Sequence, residues 1–273
     1  AGPNVWEYYF KPVSMIHAPV EVGTRQKDQK LSWNQERDLH QSKEAIKAYY
    51  YGKSFDGKNN RQRYKDNLFD EDFYWRHRSL ANRLIKDYVR LNKEILGKLN
   101  EFTREHFTGR TVLGIHMRGT DKIASAGGGE IIPPSEYASY AQKFLDYYPK
   151  SIVFVATESS KLLKELRALL APGSNEISES RVVSRNVLRS KSEFKRGKQT
   201  LEQNIFLDSK FGKGYQKGED VLLDALILSR CDFFVHGASS VSEAAMWFNL
   251  ALHNRSVHLQ YERASRKPQP WYP

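Results

Sequence analysis

Thr111-Val112-Leu113-Gly114-Ile115-His116-Met117-Arg118-Gly119-Thr120-Asp121-Lys122 decides how this chain is read. An apolar run with β-branched residues ends abruptly, and six of the seven positions from His116 to Lys122 are polar or glycine. In an open α/β sheet, ligands bind at the carboxyl ends of the strands. A buried strand interior does not tolerate an imidazole, a guanidinium, a carboxylate and an ammonium crowded together, so the cluster belongs at a mouth facing solvent or ligand. Taken alone, His-x-Arg reads as a strand end and a charged turn; the whole string argues for more.

Outward from that stretch, strands and helices alternate. Strands are expected at Thr111–Met117, Ser151–Ala156, Arg181–Ser184, Asp232–His236 and Ser256–Leu259. Helices are expected at Pro134–Tyr147, Ser159–Leu170, Glu219–Ser229 and Ser239–Leu250. Pro133 and Pro134 suit a helix's opening turn. Short apolar strands separated by helices predict an α/β fold with a parallel sheet covered on both faces.

The N-terminal third reads differently. Val5-Trp6-Glu7-Tyr8-Tyr9-Phe10 is aromatic and extended, and a helix is expected around 34–51 between polar stretches. Asp70-Glu71-Asp72 then opens a long periodic segment. Leu84, Tyr88, Leu91, Ile95, Leu99 and Phe102 step by three and four, the spacing of one amphipathic helical face. Asp70 suits its N-cap, and Glu71 and Asp72 suit the positive end of its dipole. Asp70-Glu71-Asp72 is formally a metal-binding Asp-x-Asp, but helix capping explains it better.

Composition narrows the classes. The 273 residues are 40% hydrophobic and 27% charged, enough for a folded core in one large or two modest domains. No apolar run approaches a membrane span, no secretory signal opens the chain, and its start at Ala1 fits a processing or truncation site. The single cysteine, Cys231, excludes an intramolecular disulfide framework and a cysteine metal cluster and favours a reducing compartment. A cytoplasmic location is expected, with the Golgi lumen as alternative. The eight histidines lack zinc-like spacing, and no phosphate loop ending Gly-Lys-Ser/Thr is present, so no metal is expected. The net charge of +11 implies an anionic partner: a sugar nucleotide, an acidic polysaccharide or nucleic acid. Ten Lys/Arg against three acids between Arg181 and Lys217 concentrate that excess, as a solvated basic loop or one lying over an anion.

Individual residues carry their own chemistry. Arg118 offers a planar fork that takes two phosphate oxygens at once, and Gly119 lets a ligand approach the backbone. Asp121 either orients Arg118 or Lys122 or meets substrate. Downstream, Gly218–Glu243 reads as helix, strand, small-residue turn, helix. Ala238-Ser239-Ser240 at a helix start provides backbone N–H groups and two hydroxyls, a phosphate cradle or an ordinary N-cap. Asp224, in an otherwise apolar helix, needs a basic neighbour or a ligand's donors.

His116–Lys122 together with the Leu222–Glu243 segment resembles the GDP-fucose-dependent fucosyltransferases, in particular the α1,6 and rhizobial nodulation branches. Val155-Ala156-Thr157-Glu158-Ser159 resembles that group's third motif, and the likeness covers roughly 111–260. It implies a GT-B-like enzyme whose C-terminal Rossmann-type domain, 109–273, holds the donor beside a reduced, mainly helical N-terminal region, 1–108, on the acceptor side. It implies His116 and Asp224 by the guanine and ribose, and Arg118 on the pyrophosphate. Ser239, Ser240 and the Val241 backbone N–H complete the phosphate site, and Lys122, Tyr137 and Glu158 line the reaction centre. Three departures stand out. Ile123–Gly129 holds no carboxylate where the family's base lies, so Glu130 is the nearest replacement, with Asp121 and Glu158 as rivals. Val241 stands where the α1,6 branch has glutamine, and no glycine-rich strand–turn–helix opens the N-terminal region.

The function expected is inverting, metal-independent transfer of L-fucose from GDP-fucose to a glycan or glycoconjugate hydroxyl, with no cofactor beyond the donor substrate. An inactive GDP-sugar-binding module of the same fold is the alternative. A nucleic-acid-binding protein is a third reading and rests on charge alone.

Overall fold

The structure, a computed structural model, describes residues 8–11, 71–119, 131–171, 181–190, 214–259 and 270–271. Thr120, Asp121, Lys122, the Gly127–Gly129 run, Glu130, Asp70 and the helix expected at 34–51 lie outside them. Two units divide the chain, Ser14–Tyr74 and the remainder. Of the first, the described residues are 71–74, which begin α1 (Glu71–Tyr88) with Glu71 and Asp72 in its first turn.

In the larger unit, α2 (Lys93–Phe107) leads into a doubly wound sheet. Strands β1 (Val112–Met117), β2 (Ile152–Thr157), β3 (Val182–Val183), β4 (Phe233–His236) and β5 (Ser256–His258) alternate with α3 (Pro134–Tyr147), α4 (Ser160–Leu170), α5 (Gly214–Leu228) and α6 (Ser240–Phe248). The spatial order is β3-β2-β1-β4-β5, and every pairing is parallel. Each expected strand and helix from Thr111 onward is present, with ends moved by a few residues; α5 begins five residues before Glu219.

The period-2 alternation of β1 serves two cores at once. Leu113, Ile115 and Met117 pack with α3 and α4, burying Phe144 and Leu166 completely. Val112 faces the opposite way, with Phe154 and Phe234, onto α2, α5 and α6. All six β1 residues are therefore buried, as a parallel sheet covered twice requires. Gly114 belongs to the α5 face: a β-carbon there would stand 3.0 Å from both Cys231 Sγ and Leu228 Cδ2, so glycine sets how closely α5 docks. Among the described residues no helix is long and apolar enough to cross a membrane.

One expectation fails. The stripe from Leu84 to Phe102 is not one helical face but two helices broken at 89–92. Asn92 caps α2, its Oδ1 accepting from Ile95 N at 2.9 Å. The Asn92 backbone N–H donates to Tyr9 O at 2.9 Å and its Nδ2 to Tyr8 O at 2.6 Å, so the N-terminal aromatic segment fills the break. Beyond it Ile95 and Leu99 are buried as expected, but Leu84 is 44% and Tyr88 57% exposed. A capping side chain and a long-range docking outweighed the continuous period.

Candidate functional site

In the strand order β3-β2-β1-β4-β5 the chain winds outward from β1 in one direction and from β4 in the other. Connections therefore leave the β1 and β4 carboxyl ends toward opposite faces, opening a crevice where ligands bind in folds of this kind. Arg118 and Gly119 follow β1, Glu158 and Ser159 follow β2, and Gly237, Ala238 and Ser239 follow β4. Register brings these ends level, with Met117 opposite Thr157 and His116 opposite His236.

Arg118 reaches across the crevice, its Nη1 donating to Ser239 Oγ at 3.4 Å. Ser239 also caps α6: its Oγ accepts from Val241 N at 3.2 Å. The guanidinium thus meets the positive end of a nine-residue helix, a pairing that favours an anion between or above them. Ser240 opens that helix and is exposed. Gly119 is buried, and its backbone N–H donates to Glu158 Oε1 at 2.7 Å, tying the backbone beside Arg118 to the end of the neighbouring strand. His116, 6% exposed, shares a hydrogen bond of 2.8 Å between Nδ1 and Ser242 Oγ on α6.

The remaining expected residues divide. Asp224 sits on α5 with a side chain 16% exposed, and its Oδ1 accepts from Arg185 Nη1 at 3.2 Å. Of its two sequence alternatives, the basic neighbour is present. Burial pushes its carboxyl up to about 6, with Arg185 opposing the rise. Tyr137 lies in α3 at 2% exposure, inside the core built on Leu113, Ile115 and Met117 rather than on an open surface. A cleft of about 500 Å³ runs between α5 and α6, walled by Lys217, Val221, Leu222 and Phe248; of the expected residues, Ser240 and Val241 line it.

Sequence reasoning passed over four contributors. Ser242 orients His116; its place in the string Ser239-Ser240-Val241-Ser242 was the available signal. Arg78, on α1, grips Glu243 of α6 in a bidentate pair at 2.6 and 2.9 Å and donates to His253 Nδ1 at 2.8 Å, and no local pattern announces a pairing 165 residues apart. Arg185 and Arg189 were seen only as part of a basic excess. In fact Arg181, Arg185 and Arg189 spend their guanidinium groups on internal carbonyls and carboxylates, so the described part of that stretch is no solvated loop. Among the described residues no group of three or more His, Cys, Asp and Glu could hold a metal ion.

No protein-family profile matches the chain, and no curated protein does. Solved structures do. NodZ α-1,6-fucosyltransferase co-crystallised with GDP is similar at 19% identity and TM-score 0.36 over 62% of this chain and 45% of that one, so the chain spans less than half its length. The selenomethionine form of fucosyltransferase NodZ from Bradyrhizobium gives 16% and 0.40 over 91% and 76%. POFUT1 in complex with GDP-fucose gives 12% and 0.40 over 66% and 49%.

Proposed function

We propose that this protein is an inverting, metal-independent glycosyltransferase that transfers L-fucose from GDP-fucose to a glycan or glycoconjugate hydroxyl. The observation that carries the reading is the contact of Arg118 with Ser239 across the β1–β4 crevice. It supports a diphosphate seat at the point where the sheet's winding reverses, built from a guanidinium and a helix N-terminus.

The chemistry asks for such a seat. Cleaving the sugar–phosphate bond builds positive charge on the sugar and negative charge on departing GDP. Arg118 and the α6 terminus stabilise that leaving charge before it develops, with Lys122 as a second cation and no divalent ion required. A carboxylate removes the acceptor hydroxyl's proton as the new bond forms on the opposite face of the sugar; Glu130 is the proposed base, ahead of Asp121 and Glu158. Residues 109–273 form the donor domain in this reading, and 1–108 the acceptor side. The single thiol, Cys231, is buried and free, which fits the cytoplasm over the Golgi lumen.

Nucleic acid is a weaker reading, because Arg181, Arg185 and Arg189 are engaged internally and do not face a phosphate backbone. The testing experiment is calorimetric titration with GDP-, UDP- and CMP-sugars, followed by turnover with an oligosaccharide acceptor panel. Selective GDP-fucose binding with transfer is the expected result. Binding without turnover on any acceptor favours an inactive donor-binding module, and no GDP-sugar binding overturns the reading.

A further inference from the structure

Trp75 stands on α1 within the larger unit, and 42% of it is open to solvent. Indole is a large apolar group that folded chains bury in the main, so its exposure here asks for a cause. Its ring meets the His253 imidazole, with centroids 5.1 Å apart and planes inclined at 55°. The imidazole is itself fixed, because Arg78 Nη1 lies 2.8 Å from His253 Nδ1. A guanidinium only donates, so Nδ1 accepts and the ring proton sits on Nε2. His253 is partly exposed, and among the described residues no group accepts from that Nε2–H.

The pair is anchored from below. Arg78 holds Glu243 of α6 through both carboxylate oxygens, at 2.6 and 2.9 Å, and Asn82 donates from Nδ2 to Trp247 O at 2.6 Å. Both anchoring side chains are buried. Trp75, Arg78 and Asn82 follow one another at spacings of three and four along α1, so one stripe of the helix carries the indole and its two anchors.

The geometry points to a carbohydrate-binding site on Trp75 and His253, one that takes a neutral pyranose ring. The face of an indole carries the negative side of its quadrupole. The C–H bonds on one face of a pyranose are weakly positive and lie flat against such a ring. Equatorial hydroxyls leave that face bare and project around its rim, where the His253 Nε2–H meets a hydroxyl oxygen. Arg78 and Glu243 cancel each other's charge. Burial and then Arg78 lower the His253 pKa, with Glu243 opposing, so the imidazole is neutral at pH 7. The groups beneath the indole therefore offer a hydrogen bond without net charge, which suits a neutral sugar better than a strand carrying phosphates. The tautomer and the helix are set before a ligand arrives, so little ordering is left for binding to do. None of these residues is assigned to the donor, so the site stands whether or not GDP-fucose binds at the crevice.

The test is saturation-transfer NMR and calorimetric titration of the whole chain with soluble oligosaccharides of glucose, mannose, galactose and N-acetylglucosamine. Oligouridylate is the comparison, a stacking ligand that carries phosphates. Parent protein, Trp75→Ala, Trp75→Tyr and His253→Phe are measured side by side. At least one oligosaccharide should bind the parent. Trp75→Ala should bind it roughly tenfold more weakly, and Trp75→Tyr, which keeps an aromatic face, within about threefold of the parent. His253→Phe keeps a ring but no N–H and should lose about fivefold. If His253→Phe does not fold, the Trp75 variants decide, since they change a half-exposed side chain. Acceptor kinetics separate two sources of the sugar, and either supports the site. A distal unit of the acceptor makes Trp75→Ala raise the acceptor KM with kcat changed less than about threefold, whereas a separate glycan leaves the kinetics parental while binding falls. A parent that binds none of the oligosaccharides, or a Trp75→Ala variant that binds as the parent does, overturns the inference. Oligouridylate bound through Trp75 in place of sugar overturns it in favour of nucleic acid. A parent that binds sugar but no GDP sustains this site and defeats the donor reading.

Discussion

The Glu158 carboxylate accepts the backbone N–H of Gly119 at 2.7 Å, so the backbone beside Arg118 is held from the end of the adjacent strand. A hydrogen bond to a charged acceptor contributes about 1.5–3 kcal/mol. Glu158→Ala should weaken GDP binding about tenfold by freeing the Gly119 backbone, whereas Glu158→Gln keeps an acceptor oxygen and should lose less than about threefold. Equal losses in both variants, measured by calorimetry, would mean that Glu158 acts through its charge and not through Gly119.

Arg118→Lys tests the diphosphate seat. Lysine keeps the charge but forfeits the fork that reaches Ser239 while facing two phosphate oxygens. Donor affinity or turnover should fall at least roughly tenfold, about 1.4 kcal/mol. Near-parental donor kinetics would remove Arg118 from the site.

Glu130→Gln tests the proposed base. GDP affinity should persist, since the groups proposed to hold GDP lie elsewhere, while transfer slows by about a hundredfold or more. Normal transfer rates in this variant turn attention to Asp121 and Glu158. In the same assay, chelator should leave parental activity intact; loss on EDTA that manganese or magnesium restores would refute metal independence.

Three histidines stand in register on adjacent strands, His116 opposite His236 and His236 opposite His258. His236 is 1% exposed, and burial, then His258 and Arg78, hold its pKa well below 6.5. A depressed folded pKa means that the neutral ring's contribution is complete above the unfolded value and is lost as the pH falls below it. Thermal stability should therefore decline from pH 7 toward pH 5, and His236→Gln should flatten that decline. An unchanged slope in His236→Gln would assign the acid sensitivity to other groups.

Arg78 and Glu243 tie α1 to α6, and their side chains are 6% and 18% exposed. Breaking a buried pair by removing one partner costs about 3–5 kcal/mol, whereas replacing both with apolar groups costs far less. Arg78→Met should lower the melting temperature sharply, and Arg78→Met combined with Glu243→Leu should recover much of it. Additive losses in the double variant would show that the two residues do not act as a pair.

From Thr111 onward the sequence by itself determined the strands and helices, because each strand is a short apolar run and each helix carries one apolar stripe. The polar break that begins at His116 likewise marked where the first strand ends, at Met117. Local pattern said nothing about which distant groups would meet. Arg118 with Ser239, Gly119 with Glu158, Arg185 with Asp224 and Arg78 with Glu243 are 121, 39, 39 and 165 residues apart. Strand order and register decided those pairs. The same cause broke the Leu84–Phe102 stripe, where Asn92 and the docked Tyr8–Tyr9 backbone overrode a period that looked continuous. It also buried Tyr137 in the core and turned Arg181, Arg185 and Arg189 into internal staples. Hydrophobic periodicity is a local property of the chain; the partner of a buried charge is set only when the sheet assembles.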